Sequence, residues 1–193
     1  MELETESTEL GLVDQEPINT SEEELVQAPT SQRFSLSLLQ TIRTAQSQNG
    51  LKHGDYSRYR RHCRSRLQAL YKLLKMQHGR TKYQKRKMDV HSITNQQHLL
   101  VPLFSAERAW GYAMEIKKSL EGGAPDARKH RHLLARIRKA AHWAAELARF
   151  AVDKCDSRSS VEAEAYSSWL QGSLMVETEA DWELALGKLT RAK

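Results

Sequence analysis

From residue 33 onward, apolar side chains recur at steps of three and four, and no stretch sustains the alternation of apolar and polar residues that a half-buried strand requires. The pattern predicts an all-α body, a stack of antiparallel helices. A first helix is expected from Ser35 to Gln48, burying Leu38, Leu39, Ile42 and Ala45, with Asn49-Gly50 supplying a left-handed stop. A second opens on the N-cap Asp55 and runs to about His78, ahead of Gly79. The third spans about Ser92 to Glu121, ends at Gly122-Gly123, and contains Pro102, where a kink or a split is expected. The fourth starts with Pro125 in its first turn and reaches about Asp153, with Leu133, Leu134, Ile137, Ala140, Ala141, Ala144, Leu147 and Ala151 inward. A fifth covers Ser160 to Glu177, and a sixth begins near Asp181 and is still in progress at Lys193, the pattern expected of part of a longer protein.

Tyr166, Trp169, Leu170 and Gly172 on the fifth helix face Trp182 and Ala185 on the sixth in a spacing like that of a tetratricopeptide hairpin. Small residues there let two helices pack closely while aromatics fill the remaining space. The body is therefore expected to be a tetratricopeptide-like stack.

Charge divides the chain. Residues 1–32 hold nine acids and no Lys or Arg, so the remainder of this 193-residue chain of formal charge +6 carries +15. With Glu22, Glu23 and Glu24 in a row and few apolar residues, this stretch is expected to be a disordered acidic leader, because it cannot bury enough surface to offset its chain entropy. It lacks the basic end and apolar stretch of a secretory signal, and no apolar run approaches the roughly 20 residues that span a bilayer. Cys63 and Cys155 stand alone, outside any paired metal or disulfide spacing, and are expected as reduced thiols.

Residues 51–90 contain 13 Lys or Arg against Asp55 and Asp89. On a helical projection Tyr56, Tyr59, Cys63, Leu67, Leu70 and Leu74 form one apolar stripe. Arg58, Arg61, Arg64, Lys72 and Lys75 fall on the far side, with Arg60 and Arg66 at its margins. The following RTKYQKRKM adds Arg80, Lys82, Lys85, Arg86 and Lys87 around Tyr83 and is expected as a basic loop. Solvated helix faces usually pair Glu with Lys four residues apart, and this one almost wholly lacks that support. Such a concentration of cations repels itself until a polyanion binds and releases its counterions, which points to nucleic acid. No helix-turn-helix, homeodomain or zinc-finger pattern prepares the helix for regular DNA. A bulge or internal loop in RNA widens a groove that A-form geometry otherwise closes to side chains, so a folded, irregular RNA is the expected ligand.

A second basic cluster, Arg128, Lys129, Arg131, Arg136, Arg138 and Lys139, either extends the phosphate footprint or is an exposed first turn and a half; both readings stay open. Enzyme readings are weak. His53 beside Asp55, and His130 and His132 near Asp126, lack the accompanying phosphate loop, nucleophile elbow or paired carboxylates, and residues two apart on a helix point nearly opposite ways. No catalytic residue, metal or cofactor is expected. Glu107 reads as a helix-surface charge, and Trp110, Trp143, Trp169 and Trp182 read as core.

Four segments carry a family resemblance: HGDYSRYRRHCRSR at 53–66, AERAWGYAMEIK at 106–117, RHLLARIRKAAHWAAELARF at 131–150, and EAEAYSSWLQGSLMVE after them. In this order they resemble the N-terminal RNA-binding domain of the 68-kilodalton subunit of the signal recognition particle, over nearly all of residues 34–190. The resemblance implies a tetratricopeptide-like stack that binds the particle's RNA near its three-way junction, inserts an arginine-rich helix into a widened groove and bends the RNA. Carried onto this sequence, the matching positions are Arg58, Arg60, Arg64, Arg66, Lys72, Lys75, Arg80 and Lys82. It further implies a cytoplasmic particle that associates with the endoplasmic reticulum in targeting secretory proteins, with nucleolar assembly, and a 72-kilodalton partner subunit held through a region that would follow residue 193. Two other classes stand beside an RNA scaffold. A tetratricopeptide adaptor would bind peptide in the groove of the last helices, and a peripheral membrane binder would need a bulky apolar wedge that the second helix lacks.

Overall fold

The computed structural model describes residues 33–77, 88–123 and 126–192. The expected acidic leader, the basic loop cations Arg80, Lys82, Lys85, Arg86 and Lys87, and Pro125 lie outside them. Six α-helices follow in chain order: α1 Leu38–Gln48, α2 Tyr56–Leu73, α3 Gln96–Glu121, α4 Ala127–Lys154, α5 Ser157–Glu177 and α6 Trp182–Arg191, with short 3₁₀ turns at Leu51–His53 and Val90–Ser92. From α2 to α6 each helix packs on the next, and α1 packs on α5. The turns between α3, α4, α5 and α6 are short, so side-by-side packing reverses the chain at each one, giving the expected all-α antiparallel stack. Among the described residues there is no strand, only an isolated bridge between Phe34 and Cys155.

Capping chemistry sets most helix starts. The side chains of Asp55, Asn95, Asp126, Asp156 and Asp181 each accept from a free backbone amide at the start of α2 to α6. Several expected boundaries shift for that reason. The third helix begins at Gln96, not Ser92, because the Asn95 cap follows a separate 3₁₀ turn; the fifth begins at Ser157, not Ser160, behind Asp156. The first begins at Leu38, because Phe34 and Leu36 pair instead with the α4–α5 turn: Asp156 N donates to Phe34 O at 3.0 Å and Leu36 N to Ser159 Oγ at 2.7 Å. Leu39 is 46% exposed, a correction to the expected core.

The second helix stops at Leu73, well short of His78. Lys75 takes a left-handed φ of 53°, and its amide and that of Met76 return to Lys72 O and Tyr71 O at 3.2 and 2.9 Å. This is a Schellman closure with lysine at the position glycine usually fills. The third helix, in contrast, runs unbroken through a fully buried Pro102, so no split occurs.

One core joins α1, α3, α4 and α5 through Leu38, Leu103, Leu147, Phe150 and Leu170. A second fixes α2 on α1 and α3 through Tyr59, Cys63, Leu67, Leu70, Val101 and Phe104. The predicted apolar stripe of α2 is this seam, with Tyr56 and Leu74 half-buried at its ends. Gly111 permits the close approach, since a Cβ there would lie 3.3 Å from the Tyr59 ring. Gly172 does the same between α5 and α6, where a Cβ would meet Leu189 at 2.8 Å. Trp110 and Trp169 meet at 5.8 Å between ring centroids and pack on the main core, as does Trp143, but Trp182 is 61% exposed and leaves the expected set.

Candidate nucleic-acid interface

Pinning the apolar stripe of α2 against α3 turns its other side outward. Arg58, Arg61, Arg64, Arg66, Lys72 and Lys75 are all exposed. Among the described residues no ion pair neutralises Arg58, Arg61, Arg64, Arg66 or Lys72. Arg60 differs. It is half-buried, its Nε lies 2.7 Å from the Glu115 carboxylate on α3, and its guanidinium sits 4.5 Å from the centre of the Tyr112 ring. Arg60 thus ties α2 to α3 while the arginines around it stay open to solvent.

Glu107 corrects the sequence reading most sharply. It is not a surface charge but fully buried, accepting from the Tyr59 hydroxyl, from Tyr166 Oη at 2.6 Å and from Gln46 Nε2 at 3.0 Å. Burial raises its carboxyl above the ordinary range, opposed by those three hydrogen bonds. The Tyr59 hydroxyl is pushed up by the same burial and by the neighbouring carboxylate, and the Cys63 thiol is pushed up to about 12, chiefly by desolvation. Cys63 and Cys155 are both free and buried. The polar groups of this hub satisfy one another and fix α2 in the stack.

The second basic cluster divides. Arg128, Lys129, Arg131 and Arg138 are exposed along α4. Arg136 and Lys139 instead join Arg60, Arg61 and Arg64 of α2 and Arg108 of α3 around a cavity of about 560 Å³, also lined by Ala109 and Tyr112. Arg136 lies 5.1 Å from the centre of the Tyr112 ring and donates to His132 Nε2 at 2.9 Å. Arg136 and Lys139 come from the second basic cluster, whose role the sequence left open, whereas Arg108 was not among the expected residues. Their common signal, cations one turn apart beside Tyr112 and Ala140 positions that face the core, becomes readable only once α2, α3 and α4 are known to be neighbours. Among the described residues no group of His, Cys, Asp and Glu could hold a metal ion, and no helix is long and apolar enough to cross a membrane.

A cationic helix face on an all-α stack has a counterpart among known families. The family described as RNA-binding signal recognition particle 68 matches residues 51–193. The chain belongs to that family. It is 35% identical over 172 residues to the signal recognition particle subunit SRP68 of Drosophila melanogaster, covering 86% of this chain and 28% of that protein. The SRP68 subunit of Caenorhabditis elegans is 33% identical over 180 residues, covering 89% of this chain and again 28% of the relative. The chain therefore spans 28% of the length of these curated relatives. A solved structure, the SRP68-RBD from Chaetomium thermophilum, superposes with a TM-score of 0.69 at 23% identity, covering 82% of this chain and 80% of that one. That likeness establishes the SRP68 fold for the stack.

Proposed function

We propose that this chain is the RNA-binding portion of a signal recognition particle subunit and acts as a non-enzymatic scaffold on the particle's RNA. The observation that carries the reading is the row of exposed arginines on α2, without carboxylate partners among the described residues, on a helix locked by its opposite face. Membership of a family described as RNA-binding supports it. Arg58, Arg61, Arg64, Arg66, Lys72 and Lys75 engage phosphates of an irregular RNA near its three-way junction. Arg80, Lys82, Lys85, Arg86 and Lys87 extend the contact, and Arg60 holds the base of the ridge through Glu115. Insertion of α2 requires a groove widened by unpaired bases, because a uniform A-form duplex would exclude the helix, and it bends the RNA.

In this reading the chain serves co-translational targeting of secretory proteins to the endoplasmic reticulum from a cytoplasmic ribonucleoprotein. A 72-kilodalton subunit binds through a region beyond residue 193. Chemical footprinting of the full particle RNA, with and without the chain, tests the assignment. Protection centred on the junction is expected; protection spread evenly along the RNA would reduce the protein to a nonspecific polycation.

A further inference from the structure

The cavity between α2, α3 and α4 differs in kind from the open arginine ridge. Arg61 and Arg64 line it from α2, Arg108 from α3, and Arg136 and Lys139 from α4, and among the described residues no acidic side chain lines it. The Glu115 carboxylate pairs with Arg60. A volume of about 560 Å³ falls within the range of ordinary small-ligand pockets, roughly 300–1,000 Å³. The lining also contains a cation–π cluster: the guanidiniums of Arg60 and Arg136 lie 4.5 and 5.1 Å from the centre of the Tyr112 ring.

A duplex presents a convex ridge of phosphates, which suits exposed Arg58, Arg66 and Lys72 but does not enter a recess walled by three helices. A single nucleotide turned out of a helix does. It brings a phosphate for the cations and a flat base for the guanidinium planes, which stack on exposed bases as well as binding phosphate. We propose that this cavity receives one unpaired nucleotide of the bound RNA, its phosphate gripped by Arg61, Arg64 and Arg108 and its base laid against Arg136. The inference rests on the RNA-binding reading and deepens it. Arg60 and Tyr112 act as positioning residues beneath Arg136, and the site distinguishes a nucleotide from a bare anion by the base.

The test compares two hairpin RNAs identical except that a one-nucleotide bulge carries its base in one and is abasic in the other. Both interrupt the duplex at the same position and keep the same phosphates, so the comparison reports on the base. The wild-type chain is expected to prefer the base-bearing RNA at least about fivefold, the lower bound for a stacked base. Arg136→Gln should bring that ratio close to one. Arg108→Gln should weaken both RNAs about tenfold through loss of a charge-assisted phosphate contact. Circular dichroism melts of the two variants, which alter different helices, check that each is folded. Equal wild-type affinity for the two RNAs, or an unchanged ratio in Arg136→Gln, overturns the nucleotide pocket while leaving RNA binding intact. Failure of the wild-type chain to bind either RNA overturns the functional reading beneath it. Free adenosine 5′-monophosphate is expected to bind only at about millimolar strength, as a monoanionic-to-dianionic ligand lacking the rest of the interface; micromolar binding would assign the cavity to a free nucleotide and overturn the RNA assignment.

Discussion

The hydroxyl of Tyr59 on α2 donates to the carboxylate of Glu107 on α3 in the protein interior. The same carboxylate receives Tyr166 from α5 and Gln46 from α1, so one buried acid connects four helices. Its consequence for the surface is directional. Tyr59 precedes Arg60 and Arg61, so fixing its ring fixes the rotation of α2 and with it the outward face that bears the arginines.

Glu107→Ala should destabilise the fold by about 3 kcal/mol or more, since the two buried hydroxyls of Tyr59 and Tyr166 and the half-buried Gln46 amide lose their acceptor, the buried ones at roughly 1–3 kcal/mol each. Urea unfolding followed by circular dichroism measures this. A loss below about 1 kcal/mol would mean that the hub does not hold α2 in place.

Glu107 also imposes a pH dependence of definite sign. Its folded carboxyl sits above the ordinary value of 4.5, so the folded state binds the proton more tightly than the unfolded chain. Its contribution to stability is fully present below that unfolded value and is lost as pH rises through the folded one. Glu107→Gln has no such proton. The difference in unfolding free energy between wild type and Glu107→Gln should therefore shift against the wild type as pH rises from about 4.5 toward neutrality. A difference that is constant, or that moves in the wild type's favour, would contradict the raised carboxyl.

Lys75→Gly should act oppositely on stability and on binding. A non-glycine residue in the left-handed region costs about 1–2 kcal/mol, partly offset by the greater freedom of glycine in the unfolded chain, so a gain of about 0.5–1 kcal/mol is expected. The same change removes an exposed cation from the end of α2 and should lower RNA affinity. Calorimetry and an RNA titration on one preparation separate the two effects. A destabilised variant would show that the lysine side chain, through contacts of its own, outweighs the backbone strain.

Much of this architecture is written in local pattern. The inward stripe of α2 was readable because Tyr59, Cys63, Leu67 and Leu70 follow helical steps, and once they are buried Arg58, Arg61, Arg64 and Arg66 face solvent. The α2 terminus was not readable, because glycine at Gly79 is the ordinary stop and lysine in a left-handed cap is not. Glu107 misleads as a lone acid beside Arg108. The warning lies in its surroundings: Val101 through Ala106 are all buried, so α3 is enclosed on nearly every side and a carboxylate there has no water to reach. The cavity was hidden for a different reason. Arg60 meets Glu115 at a separation of 55 residues, and Arg136 comes from yet another helix, so its lining is a product of the stack and not of any one segment.

The most direct test of the arginine ridge is the salt dependence of binding to the particle RNA, for wild type and for a variant carrying Arg58→Ala, Arg61→Ala and Arg64→Ala, whose exposed side chains leave the core untouched. With about six phosphates neutralised, the logarithm of the wild-type binding constant should fall with the logarithm of salt concentration at a slope of about −4 to −5, and the variant should lose about 2–3 units of that slope. A flat wild-type response, or a variant slope equal to that of wild type, would contradict the assignment of α2 as the phosphate-binding helix.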